Sequence, residues 1–108
     1  MTDFLTRLYA VHCHDAPGTQ DLRAATAPAH RRYMEQHRDC LFLGGPLLDD
    51  TGIQRIGSLL ILKASSRSAA QAFMNAEPYH SSGVFESVII RAFECAVRPT
   101  NENEQEQE

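Results

Sequence analysis

The sequence predicts an α+β domain with the element order β-α-β-β-α-β, in which two helices lie on one face of a four-stranded antiparallel sheet. Three observations lead to this prediction. The chain has 108 residues, of which 43% are apolar and 22% charged, which suits one core and excludes two domains. Short apolar segments of strand length alternate with two longer segments of helical spacing. Two of the strand-like segments follow each other between the helices, and this order is the split βαβ, or ferredoxin-like, pattern.

The chain begins with a predicted strand and helix. Residues 5–14 are rich in Leu, Tyr and Val and end at a turn sequence, Asp-Ala-Pro-Gly, at residues 15–18. Apolar residues recur at helical spacing over residues 19–38, but Pro28 interrupts the pattern. Because a helix tolerates proline in its first turn and rejects it in its interior, we expect the helix to begin near Thr26 as its N-cap.

The next segments complete the predicted order. Residues 41–44 are a brief apolar strand that the Gly-Gly-Pro sequence at 44–46 is expected to end, and residues 56–63 are the third strand. Serines at 65–68 offer N-caps for the second helix. The predicted apolar face of this helix consists of Ala69, Ala72, Phe73 and Ala76.

The second helix and the last strand have predictable ends. Pro78 disfavours helical dihedral angles at Glu77, so we expect the helix to end there. The last strand is predicted over residues 84–97. The third and fourth strands are apolar on consecutive positions, 59–62 and 88–90, which indicates a sheet covered on both faces. A second copy packed face to face is the simplest cover, so we expect a homodimer through the sheet face.

Charge and composition limit the partners. Residues 101–108 hold four of the fourteen acidic residues, so the first hundred residues carry ten acids and ten bases without a basic patch, and we expect no nucleic-acid partner. No apolar run approaches the roughly 20 residues that cross a bilayer, so we expect a soluble, cytoplasmic protein without membrane contact. The three widely spaced cysteines are predicted to be buried free thiols. The folded domain is predicted over residues 1–99, before an acidic, disordered tail at 100–108.

The predicted topology gathers polar residues from distant segments at one end of the sheet. In this order of elements the first two strands are parallel and the two helices are antiparallel. One end of the sheet therefore receives the ends of the first two strands, the start of the first helix and the end of the second. The candidate site residues at these places are His14, Asp15, Arg23, His30, Gly45, Pro46, Glu77, Tyr79 and His80.

His30 is the candidate general base or acid at this end. Its predicted place in the first turn of a helix, at the positive end of the helix dipole, favours the neutral imidazole that a base requires. Asp15 is the candidate partner that would fix the tautomer of His30, and Glu77 is a candidate auxiliary carboxylate. The same residues also suit structural roles: a packed His30, an Asx turn at Asp15 and a solvated helix end at Glu77.

A metal site is a weaker alternative. His12 and His14 alternate onto one face of the first strand, where two ligands could be presented with His30 or His80 as the third. No fixed ligand spacing accompanies them, so we expect neither a metal nor another cofactor.

The sequence also resembles the YciI-like (YCII-related) family over residues 8–93. The residues that carry the resemblance are Asp15-Ala16-Pro17-Gly18, Arg23, Pro28-Ala29-His30, Gly44-Gly45-Pro46-Leu47, Glu77-Pro78-Tyr79 and Ser82-Gly83-Val84-Phe85-Glu86. The resemblance implies a ferredoxin-like subunit of a dimeric α/β barrel, with an active site centred on a His and an Asp that correspond to His30 and Asp15. Two positions depart from the family pattern: Glu77 replaces an Asp, and Ala27 replaces an Arg before the Pro-Ala-His sequence.

These observations predict a small enzyme that moves a proton on a small, oxygenated, anionic organic substrate by isomerisation, elimination or lyase chemistry. Its predicted catalytic residues are His30, Asp15 and Glu77. The predicted substrate-binding residues are Arg23, His14, Gly45, Pro46 and Tyr79. A non-catalytic ligand-binding or regulatory domain with the same pocket is the alternative. A cofactor-assisted monooxygenase, a class found among the wider relatives, is a third reading.

Overall fold

A computed structural model describes residues 7–100 and contains the predicted sheet. Its four strands are Arg7–Asp15 (β1), Leu41–Leu48 (β2), Arg55–Ala64 (β3) and Phe85–Phe93 (β4). They form one sheet in the order β2-β3-β1-β4, and every neighbouring pair is antiparallel. β1 and β2 therefore run parallel to each other on either side of β3. The α+β class and the ferredoxin-like order of the sequence prediction are confirmed, whereas dimerisation stays a prediction.

Helices pack on one face of this sheet. They are Gln20–Gln36 (α1), Arg67–Ala76 (α2) and Pro78–Ser81 (α3), with one turn of 3-10 helix at Arg38–Cys40. α2 has a serine cap as predicted, because the side chain of Ser66 accepts a hydrogen bond from the Ala69 amide. Glu77 ends α2, also as predicted. Sequence analysis missed α3, which starts at once because Pro78 suits the first position of a helix and the Glu77 carboxylate caps it.

The predicted start of the first helix is wrong. α1 begins at Gln20 and not near Thr26, and Pro28 lies in its interior. The missing amide proton of Pro28 deprives the Ala24 carbonyl of its usual helical partner, but Ala24 is exposed and water can serve instead. The additional turns place His30 in the middle of α1.

The second strand also differs from its prediction. β2 continues through the Gly-Gly-Pro sequence to Leu48 instead of ending at Gly44. β2 is an edge strand, where proline is tolerated because one side of the strand needs no hydrogen-bond donors. A Cβ at Gly44 would lie 2.5 Å from Cδ2 of Leu60 on β3, so a larger residue there would require the Leu60 side chain to shift.

Other predicted boundaries need smaller corrections. α2 buries Ala70 and Met74, with Phe73 partly buried, whereas the three alanines of the predicted face are exposed. The larger side chains set the rotation of this helix, because they bury more apolar area than alanine does. β4 covers Phe85–Phe93 and is shorter than residues 84–97. The predicted strand start at residue 5 and the tail at 101–108 lie outside the described residues.

The two faces of the sheet have different surroundings. Val11, Cys13, Leu62, Met74 and Val84 are buried between the sheet and the helices. The strand register places Leu59 and Ile89 beside His12 on the opposite face. We call this second surface the open face. Its exposed apolar side chains include Leu43, Leu59, Ile89 and Phe93. Within residues 7–100, no helix is long and apolar enough to cross a membrane.

Gly57 marks a close backbone approach between β1 and β3. A Cβ at position 57 would lie 2.3 Å from the carbonyl oxygen of Cys13. We expect Gly57→Ala to lower the free energy of unfolding by about 1–3 kcal/mol, because the two strands would have to separate. Urea unfolding followed by circular dichroism measures this change. Gly45→Ala is the matched control, since a Cβ at position 45 has no heavy atom within 4 Å; equal losses in both variants would contradict the packing argument.

Candidate active site

A cavity of about 550 Å³ lies between α1 and the strands β2 and β3. α1 contributes Arg23, Ala27 and His30 to its wall, β2 contributes Gly45 and Pro46, and Tyr79 enters from α3. The cavity is at the end of the sheet where β1 and β2 finish. The predicted gathering of distant segments at this end therefore takes place.

His30 forms a short hydrogen bond with a buried carboxylate. Its Nδ1 lies 2.5 Å from Oε1 of Glu77, and the Glu77 residue has 0% of its surface exposed. The other oxygen of Glu77 accepts a hydrogen bond from the backbone amide of His80 at 3.3 Å. Because a carboxylate accepts hydrogen bonds, this network assigns the imidazole proton to Nδ1. Nε2 then carries the lone pair of an imidazole that lines the cavity.

Arg23 forms a second buried pair, with Asp15. Nε and Nη2 of Arg23 donate to the two oxygens of Asp15 at 2.8 and 3.0 Å, and their side chains are 7% and 9% exposed. Nη2 also donates to the Gly57 carbonyl at 2.9 Å and to the Ser58 hydroxyl at 3.1 Å. Burial alone would lower the pKa of Arg23, but the hydrogen bonds and charge of Asp15 outweigh it and raise this pKa. The guanidinium thus joins α1 to the ends of β1 and β3.

Tyr79 lies between the two pairs. Arg23 and His30 are two helical turns apart, about 10.5 Å along one face of α1. The Tyr79 ring fills this interval: its centroid is 4.1 Å from the imidazole centroid, with 20° between the planes, and 4.4 Å from Cζ of Arg23. The ring is buried and restricts the orientation of the imidazole. Its π-face also favours a positive charge on His30.

Cys13 lies near both carboxylates but is not suited to nucleophilic chemistry. Burial raises the pKa of its thiol to about 12, and the negative charges of Glu77 and Asp15 add to the shift. Since the thiolate is the reactive form, this thiol is inert at neutral pH. Cys13 is therefore not a candidate nucleophile at this site.

The structure corrects the predicted pairing of His30 with Asp15. His30 bonds to Glu77, and Asp15 bonds to Arg23. The helix-dipole argument for His30 also fails, because the dipole acts within the first turn and His30 lies in the middle of α1. The alternative of a solvated Glu77 is wrong as well, since this carboxylate is buried.

The predicted place of His14 in the substrate pocket is also corrected. Neighbouring residues of a strand point to opposite faces, and Cys13 is buried in the core while His14 is exposed on the open face. The other predicted substrate contacts line the cavity: Arg23, Gly45, Pro46 and Tyr79. Among residues 7–100, no group of three or more His, Cys, Asp or Glu side chains is arranged to hold a metal ion.

Sequence analysis missed four polar residues of the cavity wall. These are Gln20 and Arg31 on α1 and Arg55 and Ser58 on β3. Arg31 follows Ala24 and Ala27 on one helical face, and this periodicity would have revealed it had the helix been started at Gln20. Arg55 and Ser58 carry no such signal, because only the packing of β3 with β2 and α1 brings them to the cavity.

Comparison with known proteins identifies the family. A family model for the YCII-related domain matches residues 7–94. The chain belongs to this family. The proteins named YciI from Escherichia coli O6:H1 and from Shigella flexneri are each 31% identical to this YCII-related domain over 93 residues, covering 80% of the chain and 95% of the relative. The resemblance noted in the sequence is confirmed.

A solved structure of an enzyme is also similar to this YCII-related domain. It is 5-chloro-2-hydroxyhydroquinone dehydrochlorinase (TftG) from Burkholderia phenoliruptrix AC1100, in complex with 2,5-dihydroxybenzoquinone. The TM-score is 0.73 and the identity 28%, over 81% of this chain and 93% of that one. The similarity therefore extends over nearly the whole enzyme.

The Arg23–Asp15 pair gives a test of the site's structural basis. We expect Arg23→Met to lower the free energy of unfolding by about 3–5 kcal/mol, because it leaves the Asp15 charge buried without a partner. Arg38→Gln is the control, since it removes the Arg38–Glu35 pair, whose side chains are 73% and 69% exposed, and we expect about 0.5 kcal/mol or less from it. Urea unfolding measures the free energy of unfolding of both variants. A loss in Arg23→Met no larger than that in Arg38→Gln would show that the buried pair does not stabilise the fold.

Proposed function

We propose that this YCII-related domain is an enzyme that transfers a proton on a small oxygenated organic anion, in a reaction of the elimination type. The observation that carries the proposal is the imidazole of His30, which lines the cavity and is held from behind by the buried Glu77 carboxylate. The similarity to TftG supports the reaction type, because a dehydrochlorinase removes HCl from its substrate. Elimination requires a base at the cavity wall and a route for the leaving anion.

In the proposed reaction His30 is the base. Its Nε2 lone pair accepts a proton from the substrate, and the electron pair left behind expels the leaving group as an anion. The resulting imidazolium keeps its Nδ1 proton on Glu77, which balances the new charge, and the π-face of Tyr79 adds to this stabilisation. Elimination of HCl is redox-neutral, so this step needs no oxidant or reductant.

The remaining predicted residues have supporting roles in this proposal. Glu77 takes the orienting role that the sequence analysis gave to Asp15. Asp15 acts through Arg23, whose guanidinium supports the face of Tyr79. Gly45 and Pro46 form the β2 wall of the cavity and leave it open to a substrate ring, since neither carries a long side chain.

Replacement of His30 tests the proposal. We expect His30→Gln to reduce the rate of chloride release from 5-chloro-2-hydroxyhydroquinone by about 10²–10⁴, because the base is lost. Glu77→Gln should cause a smaller loss, since the amide keeps a hydrogen bond to the imidazole but not the charge. Chloride release and incorporation of solvent deuterium into the compound are the measurements.

A control just after the same helix makes this test specific. His37 follows the last residue of α1 and is outside the cavity, so His37→Gln should keep the wild-type rate. Full activity of His30→Gln would overturn the assignment of the base. Binding of the compound by the wild type, without chloride release or deuterium exchange, would favour the alternative of a non-catalytic ligand-binding domain.

We also propose that two copies associate through the open face. Leu43, Leu59, Ile89 and Phe93 leave apolar area in water there, and burial against a second sheet would remove it. The cavity lies on the helical side of the sheet, so this association leaves its entrance free. The cytoplasmic location stays a prediction from the sequence.

The oligomeric state tests the proposed association. Light scattering after gel filtration should give twice the chain mass of 12.1 kDa. Ile89→Glu should give the single-chain mass, because it places a charge among the apolar side chains of the open face. Arg67→Glu, on the exposed start of α2, is the control and should stay dimeric. A wild-type protein of single-chain mass would contradict the proposal.

A further inference from the structure

Two arginines of the cavity wall indicate which substrates the cavity would bind. Arg31 lies on α1 and Arg55 is the first residue of β3, so one arginine belongs to the helical wall and the other to the sheet wall. Both residues are exposed. The ion pairs found within residues 7–100 join Arg23 to Asp15, His30 to Glu77 and Arg38 to Glu35. In that part of the chain, neither Arg31 nor Arg55 is neutralised by a carboxylate.

Arg23, the anion contact expected from the sequence, is already hydrogen-bonded to groups of the protein. Its Nε and Nη2 donate to Asp15, Gly57 and Ser58, and Asp15 balances its charge. Its electrostatic attraction for a second anion is correspondingly small. The positive charge that remains at the cavity belongs to Arg31 and Arg55.

The rest of the wall suits a carbon skeleton. Ala24, Ala27, Met34, Leu41 and Leu60 present apolar side chains to the cavity. Two guanidinium groups beside apolar walls attract an anion more strongly than they would in open water, since the walls lower the local dielectric constant. Guanidinium groups also match the paired oxygens of carboxylates and similar groups.

From this arrangement we infer that Arg31 and Arg55 form the anion-recognition site of the cavity and select organic anions with an apolar body and acidic oxygens, carboxylate or enolate. This inference rests on the proposed function, because it names the substrate class of the same cavity. Arg31 and Arg55 are specificity residues, and the proton transfer is left to His30.

Equilibrium binding tests the inference without any turnover. The first probe is 2,5-dihydroxybenzoquinone, whose two acidic enol groups make it an anion at neutral pH. The second is 2,5-dimethoxybenzoquinone, which has the same ring without acidic protons. Calorimetry with the full chain should show the acidic probe binding about tenfold or more tightly than the neutral one, because each charge-assisted hydrogen bond adds affinity.

Substitutions then assign the effect to residues. Arg31→Gln and Arg55→Gln should each weaken binding of the acidic probe about 5–10-fold. Added salt should reduce the affinity of the wild type for this probe more than that of the variant with both substitutions, because salt screens charges. Arg32→Gln is the matched control, because Arg32 is exposed on the same helix and does not line the cavity. All three changes are at exposed positions, and circular dichroism verifies that the variants are folded.

The outcomes separate this inference from the proposed function. Equal affinity for the two probes, wild-type affinity in both arginine variants, or no binding of the acidic probe by the wild type would overturn the anion site. The anion site is measured by equilibrium binding of the probes, whereas the base is measured by chloride release. A failure of the catalytic proposal would therefore appear in turnover, and a failure of the anion site in binding.

Discussion

The buried ion pair between Arg23 and Asp15 is the interaction on which the site depends. A charge removed from water must be neutralised and hydrogen-bonded, and Arg23 meets this requirement with one carboxylate, one backbone carbonyl and one hydroxyl. These partners lie on β1 and β3, whereas Arg23 belongs to α1. The pair therefore sets where the helix lies over the sheet, and with it where the rest of the α1 face meets the cavity.

Tyr79 transmits this placement to His30. Its ring occupies the space between Arg23 and His30, so the imidazole is held between the ring and the Glu77 carboxylate. The Glu77-Pro78-Tyr79 sequence accounts for this arrangement locally. Pro78 ends α2 and starts α3, Glu77 caps the new helix, and the short helix carries Tyr79 into the core. One break between two helices thus provides both contacts of the imidazole.

The sequence was a good guide where local signals agreed with the final packing. The strand order and the ends of α2 follow from apolar runs, a serine cap and a proline, all of which act within a few residues. The sequence led to wrong element boundaries at two prolines: α1 continues through Pro28, and β2 continues through Pro46. Arg23 lies in the N-terminal part of α1, and its buried contacts stabilise a helix that continues through the proline. Pro46 is accommodated because β2 is at the edge of the sheet, and edge position is a property of the whole sheet.

The sequence predicted the position of most candidate residues at one end of the sheet, but it did not predict their partners. Chain order and strand direction were sufficient to bring Asp15, Arg23, His30 and Glu77 to one end of the sheet, because a β-α-β-β-α-β chain has few ways to fold. Which carboxylate meets the imidazole depends on the rotation of α1 and on the reach of each side chain, differences of a few ångströms that no spacing in the sequence records. The same rotation brings Arg31 to the cavity wall, and the position of β3 does so for Arg55. Only the packed structure decided these contacts, because a buried charge pairs with the group that lies within hydrogen-bond distance after the helices and the sheet have packed.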